Sequence, residues 1–587
     1  MSSMSIDLTP DLELLIKKYA LLNAYRHDGK ARLTPVISKI LGERPELKRI
    51  IKQLIPHAKR IIEEVNSLSV DDQRSLIESN WPELLVERRR EEVKALPPLP
   101  NVERFKRVKT RFAPNPDAPL HLGSARPIIL CHEYARMYNG AFILRFEDTD
   151  PKTKRPILEV YDWIKDDLLW LGAKWDEEYI QSDRLEIYYG YIEKLMGKGA
   201  AYVCTCSRDV FSRYKASKKP CPCRSRAVEE NLELWDKMRA GEIEEGGAVV
   251  RIKTDMAHPN PAIRDWVAFR IIDVERYPHP RPEVGSKYWV WPTYNFACAI
   301  DDHEMEVSHI LRGKEHISNT IKQQYVYKYL GWDYPEAIHF GRLKLTGWVL
   351  SKSKIAEGIR KGLFKSWDDP RLGTLKALRR RGFLPESIRE LILQVGVKPV
   401  ESSISLENLY SINRRFVEPI ANRFFFIDDP VTLRVEGLPS DRVVAKILFH
   451  PSFPERGCRE IVLSVKDGLL ELYISRRDLD VLRSSSVFRL MGLMNLRVRE
   501  VGGNLAIADF HSFGLGDLPS KSSVIHWLPH DRWIKAKVVM PDASEVNGIC
   551  EEYCSKLNVD DRVQFVRFGF VRLDQIGDVL IFYYTHP

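Results

Sequence analysis

RFAPNPDAPLHLGSAR, residues 111–126, joins two segments of different periodicity. Just before and into it, RFKRVKTRF mixes apolar and basic residues as a short strand does, whereas SARPIILCHEYARMY carries apolar residues at helical spacing. His121-Leu122-Gly123-Ser124 therefore falls where a strand hands over to a helix. There, free backbone N–H groups and the positive end of the helix dipole face an anion. Gly123 lets a flat ligand approach the backbone, and His121 can donate hydrogen bonds to phosphate oxygens. A histidine in that place is more often a local cap. What tips the reading toward a nucleotide is a second cluster far downstream, Leu350-Ser351-Lys352-Ser353-Lys354, which follows the glycine-containing turn LTGWV. Two phosphate-seeking loops on opposite sides of a mononucleotide fold can clamp a triphosphate.

Around this stretch strands alternate with helices. AFILRFED reads as an apolar strand, and EVYDWIKDDLLWLG as an amphipathic helix ending at Gly172. That alternation indicates a parallel sheet with crossover helices. Glu147 and Asp148 then lie at the carboxyl edge of the strand, where ligands bind in open α/β sheets, although Asp148 and Thr149 serve equally well as helix caps. Further on, Cys204-Thr-Cys206 and Cys221-Pro-Cys223 bracket the basic segment SRDVFSRYKASKKP. Four thiolates at this spacing can complete a tetrahedral zinc site, which would be structural because no position stays open for a substrate; the alternative is four plain thiols in a reducing compartment.

These motifs together resemble the class I aminoacyl-tRNA synthetases, with HLGS in the place of the HIGH signature and VLSKS in that of KMSKS. The similarity is closest to the archaeal type of glutamyl-tRNA synthetase. It runs from about Arg111 to the C-terminus through RFAPNPDAPLHLG, LRFEDTDP, ILRGKEHISNT, GRLKLTGWVLSKSK and WDDPRLGTLKALRRRG. The resemblance implies a ligase that joins glutamate to tRNA(Glu) at the expense of ATP with Mg2+, through a glutamyl-adenylate formed only when tRNA is bound. Charging of tRNA(Gln) as a second substrate is left open.

The resemblance also implies roles for residues. His121, Gly123, Ser124 and Lys352 would stabilise the reacting phosphates, and ATP would be held by Ala113, Asn115, Ser351 and Ser353 together with these four. Arg111, Glu147, Tyr294, Cys298 and Arg312 would hold glutamate, Glu147 against its ammonium group and an arginine fork against a carboxylate. Ser124 replaces the second histidine of HIGH, so its part in phosphate binding stays open. Glutaminyl enzymes of the branch usually carry a histidine where this chain has Cys298 and a glutamate where it has Asn115, and both departures favour glutamate. A glutaminyl-tRNA synthetase of the same branch and a non-catalytic tRNA-binding relative remain the alternatives. A nucleotidyltransferase or a tRNA-base-modifying glutamyl transferase would lack the long C-terminal region.

Composition sets outer limits. With 587 residues the chain has length for three or more domains. Ninety Lys and Arg against 81 Asp and Glu leave +9, a modest excess that permits a nucleic-acid partner without requiring one. No apolar run approaches a membrane span, the N-terminus lacks the apolar core of a signal peptide, and an odd nine cysteines argue against a disulfide scaffold, so a cytoplasmic protein without membrane or DNA partners is expected.

The expected fold class is multidomain α/β plus all-β, in six parts. Residues 1–100 carry helices whose Lys48, Arg49, Lys52 and Lys59 are read as a solvated face, and PPLP at 97–100 is read as a stiff linker. Residues 101–190 and 291–345 form two halves of a Rossmann-like catalytic domain. Between them, 191–290 is an insertion resembling the domain that grips the acceptor end of tRNA, with Arg251, Lys253, Arg264 and Arg270 as cations for phosphates. Residues 346–425 hold the KMSKS-type loop and a helical connector in which Arg379, Arg380 and Arg381 are candidate tRNA contacts. Residues 426–587 alternate short strands and turns, as β-barrels that read anticodon bases do; Arg414, Arg415, Trp527 and Trp533 are conceivable contacts, with core packing as likely for the tryptophans.

Overall fold

The strand Ala141–Phe146 is buried along its whole length, as a run of six residues is when helices cover both faces of a parallel sheet. Calling it β2, its partners are β1 (Lys109–Phe112) on one side and β3 (Glu177–Ile180) on the other, both parallel, with Arg111 in register with Ile143. Four antiparallel strands follow, β4 (Ala201–Cys204), β5 (Val249–Ile252), β6 (Val267–Ile271) and β7 (Val290–Pro292). The parallel sheet then resumes with β8 (His309–Gly313) and β9 (Glu336–Phe340). A hydrogen bond from Ser308 N–H to the Lys109 carbonyl, 3.0 Å, joins this pair to β1. The order β3-β2-β1-β8-β9 is that of a nucleotide fold whose two halves meet between β1 and β8, the crevice where ligands settle.

The computed structural model describes residues 10–25, 29–44, 47, 50–69, 72, 73, 76, 77, 80, 81, 96–345, 348, 351–514, 517 and 522–587. Its chain divides into two compact units, Met1–Ala95 and Leu96–Pro587. In the first, helices Pro10–Tyr25, Leu33–Glu43 and Ile51–Asn66 bury Ile16, Ala20, Ile40, Leu54 and Ile61 in a small core of their own. The side chains of Lys48, Arg49 and Lys52, read as a solvated basic face, lie outside the described residues, as does most of the stretch after Asp71.

In the second unit the PPLP segment is not a free spacer. The Tyr134 hydroxyl donates to the Pro97 carbonyl at 2.9 Å, the Leu99 N–H donates to the Tyr138 hydroxyl at 2.9 Å, and Leu99 is buried. Towards the C-terminus two seven-stranded sheets curl into barrel-like folds. One contains Phe426–Asp428, Ile534–Val539, Gly569–Gln575 and Leu580–His586; the other contains Pro430–Glu436, Leu470–Ser475, Asn495–Val501 and Leu505–Ser512. Trp527 is fully buried in the second barrel with its indole N–H on the Met491 carbonyl, and Trp533 stands partly exposed. Trp527 is therefore core, not a base platform.

The three arginines named as candidate tRNA contacts all have partners within the protein. Arg381 is buried and donates to the Thr585 carbonyl at 2.8 Å, the Tyr584 carbonyl at 3.2 Å and the Tyr410 hydroxyl at 3.1 Å. Arg380 pairs with Asp368 at 3.0 Å and Asp574 at 2.8 Å while lying over the Tyr583 ring. Together they clamp the helix Leu375–Arg380 to the last strands of the chain. Arg379 is more exposed but bound to Asp166 at 2.8 Å. Consecutive residues on a helix point about 100° apart, so a run of three cannot present one face.

Candidate active site

His121 precedes the helix Leu122–Met137 with extended backbone and no side-chain cap. The Leu122 N–H donates to the Gly373 carbonyl at 3.0 Å, and the Ser124 N–H to the His121 carbonyl at 2.7 Å. Two of the first N–H groups of the helix are thus engaged within the protein. Gly123 lies against its neighbour: a Cβ there would stand 2.9 Å from the His121 ring, which would have to shift. That ring is largely buried, and its Nδ1 has no partner. Burial first, and then the nearby Lys352 charge, push its pKa down to about 4. His121 is therefore a neutral imidazole at physiological pH, able to donate one hydrogen bond.

Lys352 opens the helix Lys352–Arg360, and its Nζ lies 2.8 Å from Asp117 Oδ1. Asp117 belongs to the same stretch as His121, so this ion pair closes the loop at Ser351–Ser353 onto the helix start. The Ser351 and Ser353 hydroxyls are 3.2 Å apart. Leu350 and most of the LTGWV turn lie outside the described residues.

At the other end, four elements converge. The helix Tyr294–Glu304 presents Tyr294, Cys298 and Asp302 on one stripe, each four residues from the last. Asp302 accepts from Arg111 of β1, Oδ1 at 3.0 Å from Nε and Oδ2 at 3.2 Å from Nη2, and from Arg145 of β2 at 2.8 Å. The two guanidiniums hold its carboxyl well below the usual range despite burial. Arg145 also donates to Glu147 Oε1 at 3.1 Å; burial raises the Glu147 pKa and Arg145 opposes the rise. Cys298 lies behind them, its Sγ 3.3 Å from Arg145 Nη2 and its pKa pushed up to about 12 by burial and then by Asp302.

Arg312, on β8, is buried with different company. Its Nη2 donates to Thr320 at 2.6 Å, Gln323 at 2.9 Å and the Tyr334 hydroxyl at 3.1 Å, while Nη1 is 3.5 Å from the Tyr294 hydroxyl. Its Nε has no partner, and among the described residues no carboxylate neutralises it. An unpaired buried cation is costly unless a ligand completes it.

A cavity of about 650 Å³ joins the two ends, lined by Arg111, Ala113, His121, Gly123, Ser124, Glu147, Tyr294, Arg312 and Ser351, and also by Arg126, Glu315 and His316. Asn115, Cys298, Lys352 and Ser353 do not line it. Cys298 is buried beneath the arginines, and Asn115 has its side-chain oxygen buried without a partner. Sequence reading missed Arg145, Asp302 and Asp117. The first two carried signals: Arg145 is two residues before Glu147 on a strand and so shares its face, and Asp302 is eight after Tyr294 on a helix.

In the insertion, the sulfurs of Cys204, Cys206, Cys221 and Cys223 lie within 4.8 Å of one another, Cys204 to Cys221 at 3.9 Å and Cys206 to Cys223 at 3.7 Å. Of the four cations read as facing phosphates there, Arg251 donates to the Asp265 carbonyl, Arg264 to the His258 and Lys215 carbonyls, and Arg270 pairs with Asp150 at 2.6 Å. Those three are spoken for inside the protein.

A parallel nucleotide fold with a histidine-glycine helix start facing a lysine-bearing loop has the design of a class I aminoacyl-tRNA synthetase core. The model of the catalytic domain of class I tRNA synthetases for E and Q matches residues 107–418, and models of the anticodon-binding domain of the same enzymes match residues 421–511 and 524–574. The chain is 50% identical to glutamate–tRNA ligase of Thermococcus kodakarensis over 572 residues, covering 96% of this chain and 98% of that one. It is likewise 50% identical to those of Pyrococcus furiosus, covering 98% and 100%, and Thermofilum pendens, covering 96% and 98%. The chain belongs to the archaeal glutamate–tRNA ligases, ATP-dependent enzymes that act on glutamate and tRNA(Glu).

Proposed function

We propose that the cavity binds glutamate at its arginine end and ATP at its histidine end, so that the α-carboxylate meets the α-phosphate between them. The observation that carries this reading is Arg312, a buried guanidinium with an unpartnered nitrogen and, among the described residues, no carboxylate of its own, in one cavity with Arg111, Glu147 and His121. Arg111 and Arg312 grip carboxylate oxygens, the Tyr294 hydroxyl supports them, and Glu147, held by Arg145, receives the ammonium group. A glutamate oxygen attacks the α-phosphorus, the bond to the β-phosphate breaks and diphosphate leaves. Neutral His121, Ser124 and Lys352 stabilise the charge that builds on the phosphoryl oxygens. Mg2+ enters with ATP, bound through phosphates and water. The terminal ribose hydroxyl of tRNA then attacks the adenylate carbonyl and AMP leaves.

Activation is read as tRNA-dependent. Exchange of labelled diphosphate into ATP with glutamate is expected only when tRNA(Glu) is present; equal exchange without tRNA overturns that reading. The working partner is tRNA(Glu), and nothing in the site favours tRNA(Gln). No helix among the described residues is long and apolar enough to cross a membrane, in keeping with a cytoplasmic enzyme. The six-part division stands as the working domain map, with 191–290 as the acceptor-end grip and 426–587 as the anticodon region.

The four cysteines fit a structural zinc. A tetrahedral ion with Zn–S bonds of about 2.3 Å sets its sulfurs about 3.8 Å apart, close to the separations across the two pairs. Bound there, zinc would tie the end of β4 to the turn at Cys221–Cys223. The full-length protein is expected to carry one equivalent of zinc by elemental analysis and to lose it in Cys221→Ser. Metal-free wild type with an unchanged melt would exclude the site.

A further inference from the structure

We infer that Asp302 is a positioning residue that sets the substrate-reading edge of Arg111. The inference deepens the reading of Arg111 as a glutamate contact and rests on it.

A guanidinium has two forks, one along Nε and Nη2 and one at its end between Nη1 and Nη2. Asp302 takes the first with both oxygens, at 3.0 and 3.2 Å. Nη2 also reaches the Cys298 sulfur at a long 4.0 Å, Nη1 has no protein partner among the described residues, and Arg111 lines the cavity. The ring of contacts therefore leaves the end fork for a ligand and fixes its plane, because Asp302 is itself held by Arg145 and rooted on the helix Tyr294–Glu304. Asp302 is buried and does not line that cavity, so it acts on a substrate only through Arg111.

The charge balance points the same way. Asp301 takes Arg184 at 2.8 Å and approaches Arg145 at 3.8 Å, while Glu147 and Asp302 take Arg145 and Arg111. Arg312 and Arg126, both buried in the cavity wall, meet no carboxylate among the described residues, Arg126 donating only to the Gly341, Gly396 and Lys398 carbonyls, so the wall carries excess positive charge. An amino acid with an anionic side chain offsets part of that charge, and one with a neutral amide side chain offsets none of it. Since uncompensated buried charge is expensive, the excess favours the anionic side chain, and the Asp302 geometry decides where its carboxylate must lie.

The test is steady-state charging of tRNA(Glu) by the full-length enzyme, wild type against Asp302→Asn and Arg111→Lys, with glutamate, glutamine and ATP each titrated. An asparagine amide turns one acceptor into a donor facing the guanidinium, so the fork swings while the side chain keeps its size. Asp302→Asn is expected to raise KM for glutamate at least about tenfold and to lower the glutamate-over-glutamine preference by a similar factor, with KM for ATP unchanged. Arg111→Lys, which keeps the charge and loses the fork, is expected to show the same split. If Arg111→Lys raises the glutamate KM while Asp302→Asn leaves it and the preference within twofold, the inference on Asp302 is wrong and the reading of Arg111 survives. If Arg111→Lys leaves the glutamate KM unchanged, the reading of Arg111 fails first. Should Asp302→Asn not fold, Asp302→Glu moves the same charge by one methylene, and a wild-type glutamate KM there overturns the inference equally.

Discussion

Lys352→Ala should lower the rate of adenylate formation by about 100- to 1000-fold, the usual cost of deleting one preorganised charge donor at a developing oxyanion. Lys352 is held near the reacting end by Asp117, 2.8 Å away, and its charge is felt at His121. When triphosphate arrives, the ammonium can pass from the Asp117 carboxylate to a phosphate oxygen by a short movement of a flexible stem. The pair itself is partly exposed, 35% for Lys352 and 26% for Asp117, so losing it should cost no more than about 1 kcal/mol of stability. The measurement is tRNA-supported diphosphate exchange beside a thermal melt. A near-normal melt with collapsed exchange assigns Lys352 to the chemistry; exchange within tenfold of wild type removes it from the site.

His121 shows why such a lysine is needed. A histidine beside phosphates would be expected to serve as a cation, yet burial and Lys352 keep this one neutral, with a pKa of about 4. The positive charge for the phosphates then comes from the loop on the opposite side, and the imidazole supplies a directed hydrogen bond. Linkage follows with a definite sign. Below the usual histidine range the unfolded chain binds a proton that folded His121 refuses, so this group's contribution to stability is present at neutral pH and declines as pH falls from about 6.5 toward 4.

The parts of this site that were legible in the sequence are the short ones. HLGS and SKS each compress the proposed phosphate-directed role into a few neighbouring residues, and the alternation of AFILRFED with an amphipathic helix carries the parallel sheet. What escaped depends on pairs that only the fold brings together: Arg111 with Asp302, 191 positions apart, and Asp117 with Lys352, 235 apart. A single sequence holds no record of which distant opposite charges meet. Arg379–Arg381 show a different limit. Their charge was read as a property of a segment, whereas helical geometry sends neighbouring side chains apart and burial had already claimed Arg381 for backbone carbonyls of the last strand.

Replacing Arg312 with methionine should raise KM for glutamate by about 100- to 1000-fold while leaving the protein as stable as wild type to within about 1 kcal/mol. The two halves of this expectation have one cause. In the free enzyme Arg312 is a buried cation with an unpartnered Nε and no carboxylate among the described residues, so its charge costs stability that only a bound anion recovers. Methionine fills a similar length of space without a charge, and the groups Arg312 leaves behind keep other partners: Thr320 Oγ1 lies 2.9 Å from His339 Nε2, and the Tyr334 hydroxyl donates to Gln323 at 2.7 Å. A residue serving the fold would behave in the opposite way, losing stability first and glutamate affinity only as a consequence. Titrating glutamate in the charging assay beside a denaturant melt separates the two. A destabilised protein with an unchanged glutamate KM would show that Arg312 belongs to the scaffold; a stable protein that no longer saturates with glutamate, but still saturates normally with ATP, assigns it to the substrate carboxylate.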